Sequence, residues 1–124
     1  MSTILLAIKP RYVDLILSGK KKFEYRRKVP AQSVDKIIIY ASSPIKKVVG
    51  EVNVTGTFSM SVSQLWNRTN SFSGITRIEF HKYFAGCKIA HAFILGKPIK
   101  YKHHKELSYY GISRAPQSFL YIKI

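Results

Sequence analysis

Gly19-Lys20-Lys21-Lys22-Phe23-Glu24-Tyr25-Arg26-Arg27-Lys28 is where the period of the chain changes, and the rest is read outward from it. Upstream, Val13, Ile16 and Leu17 recur at helical spacing, with Tyr12 and Leu15 flanking them. Pro10 suits the first turn of a helix, because the N–H it lacks would be unpaired there anyway. Gly19 after Ser18 suits the C-cap. Residues 10–18 therefore read as one short helix lying against a sheet. From Lys22 the period drops to two: Phe23 and Tyr25 alternate with Lys22, Glu24 and Arg26, as in a half-buried strand with a charged outer face. Pro30 ends that strand. A helix end meeting a strand start often borders a cleft.

Further out, Ile4 to Ile8 is apolar throughout and suits a strand buried on both faces. Ile37-Ile38-Ile39-Tyr40-Ala41 reads as a central strand, turned by Ser42-Ser43-Pro44. Lys47 to Phe58 reads as a long strand, with Gly50 and Gly56 allowing bends. Val62 to Trp66 and Thr76 to Phe84 read as helices, Gly86 stopping the second. Ile89 to Leu95 and Ile99 to Tyr101 read as two strands separated by Gly96-Lys97-Pro98, and Ser118 to Ile122 as the last strand. Repeats, low-complexity tracts and linkers are absent from the sequence. Six or seven strands, two or three short helices and short connections point to an α+β fold. The expected form is a single domain over residues 1–124: a small, mixed, partly closed β-barrel with one helix plugging an end.

The chain has 124 residues, with 21 Lys and Arg against 6 Asp and Glu, a formal charge of +15. No fold needs that many like charges, so a polyanionic partner is expected, nucleic acid before an anionic membrane. A membrane is the weaker choice because no basic stretch coincides with a long amphipathic helix. Cys87 is the single cysteine, so the chain carries no internal disulfide and no Cys/His quartet for zinc. No metal and no cofactor are expected. A free thiol, and an N-terminus without a basic n-region, suggest the cytoplasm.

Among candidate site residues, Glu24 and Arg26 are two apart on a strand and project from one face. A carboxylate among cations stays ionised, and can orient an Arg fork or accept from a base amino group. Strict alternation puts Lys21 on the opposite face unless it lies in the turn before the strand. The bland alternative for the whole run is a solvated strand edge whose lysines block edge pairing. Tyr40, just before Ser42 and Ser43, either opens into a cleft to stack on a base or is a core tyrosine. Lys97, Lys100 and Lys102, with Lys105, form a second basic stretch suited to a phosphate track. His103 and His104 point to opposite faces of a strand and make a poor metal pair. His91 reads as a hydrogen-bonded core residue, His81 as surface, Trp66 as core and Cys87 as a structural thiol.

The run Gly19-x-Lys21-x-x-Glu24-x-Arg26 resembles the GxKxxExR signature of ASCH domains, a branch of the PUA-like superfamily. The resemblance continues through Ile8-Lys9-Pro10, Ile39-Tyr40-Ala41-Ser42-Ser43-Pro44, Val49-Gly50-Glu51 and Pro116-Gln117-Ser118-Phe119. It implies a PUA-like barrel over the whole chain, with a cleft beside the first helix, binding RNA or nucleotides and regulating transcription or translation. On that basis Lys21 and Arg26 contact phosphate or a base edge, and Glu24 orients Arg26 or reads a base donor. Lys9, Arg27 and the Lys97–Lys105 stretch supply general electrostatics, and Gln117 and Ser118 line the same cleft. RNA is favoured over DNA, and the oligomeric state is left open.

The family also contains enzymes, so a second reading is turnover of RNA or a modified nucleoside in that cleft. One branch resembles N4-acetylcytidine amidohydrolases, which use the signature Lys, a Thr three residues later and a distant Glu. Here Lys21 is kept, Glu24 stands at the Thr position, and no acidic residue lies between Trp66 and Ile78; Glu79 is the nearest. Other members look like ribonucleases, for which Lys21, Glu24 and Arg26 are the catalytic candidates. A third reading is a basic protein that binds an acidic protein.

Overall fold

The all-apolar segment near the N-terminus becomes strand β1 (Ser2–Ile8), and its side chains alternate between two cores. Ile4, Leu6 and Ile8 enter one, and Leu5 the other, so the strand has no polar face to present. The computed structural model describes residues 2–123. After β1 come helix α1 (Pro10–Leu17), β2 (Phe23–Arg26), β3 (Val34–Ala41) and β4 (Lys47–Ser61). Helices α2 (Val62–Thr69) and α3 (Arg77–Tyr83) follow, then β5 (Ile89–Lys105) and β6 (Phe119–Ile122). The six strands form one mixed sheet in the order β2-β5-β4-β3-β1-β6, in which only β1 and β3 run parallel.

The chain is α+β, but the expected barrel does not close. β2 and β6 are the two edges, and among the described residues no ladder joins them. The reason lies in two short strands. β2 pairs only with residues 91–94 of β5, and β6 reaches only from Thr3 to Leu6 of β1. The carbonyl of Ala7 is thereby left to the guanidinium of Arg26, whose Nη2 donates to it at 3.5 Å. A side chain spans the gap that a backbone ladder would otherwise close.

The second difference concerns Gly96-Lys97-Pro98, which does not separate two strands. β5 runs unbroken through it, and irregularities in the β4–β5 register between Val52 and Val54 and between Val54 and Gly56 absorb the glycine and proline. Tertiary pairing overrides a local turn signal here.

Helix α1 ends as its sequence suggests: the Ser18 and Gly19 N–H groups return to Asp14 and Ile16, and Gly19 adopts φ +81°. Its Val13 and Ile16 join the core on one face of the sheet. Helices α2 and α3 cover the far half of the β4–β5 ribbon with a second cluster of Leu65, Phe80, Phe84 and Tyr25. Both helices are capped at their N-termini, α2 by Ser61 and α3 by a Thr76–Glu79 capping box. Trp66 packs on that cluster, and His91 is half-buried and bonded to Ser59 Oγ at 2.7 Å. Tyr40 is 7% exposed in the core of the opposite face, beside Leu5, Ile38 and Val48, so it does not open into a cleft. Its position one strand inside the sheet gives the ring apolar neighbours on its own face.

Candidate functional site

Between the end of β1, α1, β2 and α3 lies a cavity of about 560 Å³. Its floor is β2. Glu24 and Arg26 project into it together, as their spacing demands, and pair through Glu24 Oε2, which accepts from Arg26 Nη2 at 2.8 Å and Nε at 3.1 Å. Both are largely buried, with side-chain exposures of 9% and 16%. A fork held from both ends, by Glu24 and by the Ala7 carbonyl, presents its remaining N–H groups in a fixed direction.

Lys21 is in the turn before β2, so strand alternation does not apply to it, and its side chain lines the same cavity. Its backbone N–H returns to the Leu15 carbonyl at 3.0 Å. Lys21 is 3% exposed, and its ammonium donates to the Ser73 carbonyl at 2.5 Å and sits over the rings of Tyr25 and Tyr12 at 4.7 and 5.3 Å. Burial pushes its pKa down to about 8; the Glu24 carboxylate opposes that shift, Arg26 adds to it, and Glu79 opposes it. Gly74, at φ +69°, closes over the lysine stem, and a Cβ there would lie 2.8 Å from Lys21 Cβ, Cγ and Cδ. The Ser73–Gly74 turn thus clamps Lys21 from a segment about fifty residues away in the chain, and only glycine fits that close approach. Burial also raises the Tyr25 phenol to about 12, against its bond to Thr69 Oγ1 at 2.6 Å.

The opposite wall comes from α1 and α3. Glu79 Oε2 accepts from Arg11 Nη2 at 2.6 Å and from the Tyr12 hydroxyl at 3.4 Å, while Oε1 accepts from the Thr76 N–H at 3.0 Å. The Thr76 backbone donor, then Arg11, hold the Glu79 carboxyl down at about 2. Arg27 Nε donates to the Tyr83 carbonyl at 2.7 Å and its guanidinium lies 4.7 Å from the Tyr83 ring centre. Lys9 and Lys82 complete the cationic lining.

The cavity therefore gathers Lys9, Lys21, Glu24, Arg26 and Arg27 of the expected residues. The others lie elsewhere. Ser42 and Ser43 form the turn after β3, where the Ser42 N–H bonds the Ile8 carbonyl at 2.9 Å, outside the cavity wall. Gln117 and Ser118 are exposed just before β6; the Leu6–Phe119 pairing brings Ser118 toward Ala7 at the rim. Lys97, Lys100 and Lys102 are exposed on β5, away from the cavity. Arg11, Tyr12, Glu79, Lys82 and Tyr83 were not among the expected residues. The available signal was the Thr76-x-x-Glu79 capping pattern, which fixes where α3 starts but not what it faces. Among the described residues no cluster of three or more His, Cys, Asp or Glu is placed to hold a metal ion. Among them, too, no helix is long and apolar enough to cross a membrane.

The ASCH domain family matches this chain over residues 6–111. Two proteins of Ureaplasma parvum contain a similar segment, ATP synthase subunit alpha (32% identical) and large ribosomal subunit protein uL22 (30% identical), each across 98% of this chain. The chain spans only 15% and 39% of those curated relatives. It is 29% identical to an ASCH domain-containing ribonuclease from Zymomonas mobilis, across 95% of this chain and 82% of that protein. The crystal structure of ASCH from Zymomonas mobilis superposes with a TM-score of 0.87 at 27% identity, covering 98% of this chain and 88% of that one.

Proposed function

Because the chain belongs to the ASCH domain family, we propose that the cavity between α1, β2 and α3 binds single-stranded RNA. The observation that carries this reading is the lining itself: six cations around two carboxylates that are already paired, with three tyrosine rings among them. Glu24 and Glu79 orient Arg26 and Arg11, leaving the cavity positive toward a phosphate. A volume of about 560 Å³ is in the range of small-ligand sites, enough for a splayed nucleotide and too confined for a duplex. The Zymomonas relative named a ribonuclease is what favours RNA over DNA. The two Ureaplasma names differ from each other although both proteins share this segment, so neither name is carried over.

One observation favours cleavage as a second reading. A lysine brought down to about 8 is partly neutral near physiological pH, as a general base must be. In that reading the free Lys21 amine takes the ribose 2′-OH proton and the 2′-oxygen attacks phosphorus. The P–O5′ bond breaks, water protonates the leaving oxygen, and Arg26 steadies the phosphorane charge. Amide hydrolysis of a modified nucleoside is less well supported. Glu79 does line the cavity, but at about 2 its carboxylate is a weak base with both oxygens occupied. Glu24 cannot replace a hydroxyl nucleophile that a lysine would activate.

Fluorescence anisotropy with labelled RNA and matched DNA, across salt and from pH 6 to 9.5, tests both readings. Binding predicts tighter RNA than DNA, a preference lost in Glu24→Ala/Arg26→Ala, and affinity that falls as pH rises through about 8 and Lys21 loses its charge. Cleavage predicts a rate that rises through the same window and vanishes in Lys21→Met. Equal, salt-labile affinity for both polymers, untouched by these substitutions, would leave the cavity without a role in nucleic-acid recognition.

A further inference from the structure

We propose that β5 from Lys97 to Lys105 is a second RNA contact, separate from the cavity, that holds the backbone of a longer strand; it rests on the RNA-binding reading above. Two features of the fold carry it. First, β2 pairs with β5 only at residues 91–94, so among the described residues no strand covers the other edge of β5 beyond Leu95. Lys100, Lys102 and His104 are exposed along that segment, whose residues between Lys100 and Lys105 leave the β4 ladder. Second, the cations there are not neutralised. The nearest carboxylates on β4 and after β5 are Glu51 and Glu106, and these pair with Lys36 and Lys47. Among the described residues no ion pair engages Lys97, Lys100 or Lys102. Lys105 lies 4.1 Å over the ring of Tyr109, which is 67% exposed, so a flat aromatic surface stands at the end of the row.

The distance sets the chemistry. Arg26 pairs with His91, and Lys97 comes six residues further along β5, at most about 20 Å at ~3.3 Å per residue. A single strand several nucleotides long is enough to cover that span from the cavity and continue along the row. The row recognises phosphate by charge and carries no base preference.

The test compares wild type with Lys97→Gln/Lys100→Gln/Lys102→Gln on RNAs of ~4 and ~16 nucleotides, the range of single-strand site sizes. A charge-matched control replaces Lys20, Lys88 and Lys123 with Gln. The proposal expects unchanged affinity for the short RNA, weaker binding of the long one, and a log–log salt slope shallower by about 2 for the long one only, three phosphates at ~0.7 each. Equal loss in the control means a general field and overturns it. Unchanged long-RNA affinity with new self-association also overturns it, leaving the lysines as edge protection. If wild type binds neither RNA at physiological salt, the cavity reading fails as well; if it binds the short RNA and the triple variant keeps both affinities, only the track fails.

Discussion

The cavity and the outer half of β5 are built from the same residue types and use them in opposite ways. Lys21 is buried, clamped by Ser73 and Gly74, and charged at a cost. Lys100 and Lys102 are exposed to water and engage no carboxylate in an ion pair. In the cavity each carboxylate fixes a guanidinium; along β5 the nearby acids are taken up by lysines of other strands. Burial converts a charge into a directed, pH-sensitive group, and exposure leaves it as one contribution to a field. The largest effects of substitution should therefore come from β2 and its clamp.

The strongest way to break that contrast is Arg26→Ala. It strands Glu24, which is 7% exposed, and removing one member of a buried pair costs about 3 kcal/mol or more. Urea unfolding should show that loss. Glu24→Gln/Arg26→Met, which removes both charges at similar volume, should cost far less. Equal destabilisation by the two variants would mean that packing, not the stranded charge, sets the effect.

Next comes Lys21→Met, read against pH. The folded pKa of about 8 lies below the ordinary lysine value of 10.5, so between those values the unfolded chain binds more protons and wild-type stability rises with pH. The rise amounts to about 3 kcal/mol at ~1.4 kcal/mol per unit, and the penalty is present in full below pH 8. The Met variant should lack it, so the wild-type urea midpoint should rise from pH 7 to pH 10 relative to that of the Met variant. Tyr25, raised to about 12, works in the other direction above pH 10, but it is present in both proteins and subtracts out. A difference that does not change with pH would place the Lys21 ammonium in water.

That lysine also marks the limit of what the sequence reveals. Periodicity located α1, β2 and the doubly buried β1, because each pattern is local: which residues share a face follows from spacing alone. Glu24 and Arg26 were legible as a pair for the same reason. The Lys21 clamp, Glu79 and Tyr83 were not, since they come from a segment 50 to 60 residues downstream and meet β2 only when α2 and α3 fold over the sheet. Barrel closure failed similarly, because it depends on how far β2 and β6 extend along their neighbours. Gly96-Lys97-Pro98 carried a true local signal that the β4 register absorbed. Tyr40 shows that a pattern can report a buried or exposed face without telling which core it enters.

A pair of glycines sharpens the comparison with a smaller effect. Gly74 and Gly111 have nearly the same backbone, φ +69° and +73°, but a Cβ at Gly111 meets nothing within 4 Å, while one at Gly74 strikes the Lys21 stem. Gly111→Ala should cost about 1 kcal/mol, the left-handed penalty alone. Gly74→Ala should cost more and also release Lys21, moving the wild-type pH window of stability toward the ordinary lysine value. The same shift in Gly111→Ala, or none in Gly74→Ala, would separate the turn from the lysine it is argued to hold. Below both in magnitude stands Lys100→Gln/Lys102→Gln, which removes two solvated charges from β5 and should change stability by no more than about 0.5 kcal/mol. Its sign is informative: in a chain of charge +15, loss of mutual repulsion favours a slight gain at low salt that fades as salt screens it. A loss of stability that persists in high salt would mean these lysines pack against the sheet, and the contrast between a structured cavity and a solvated row would fail at its exposed end.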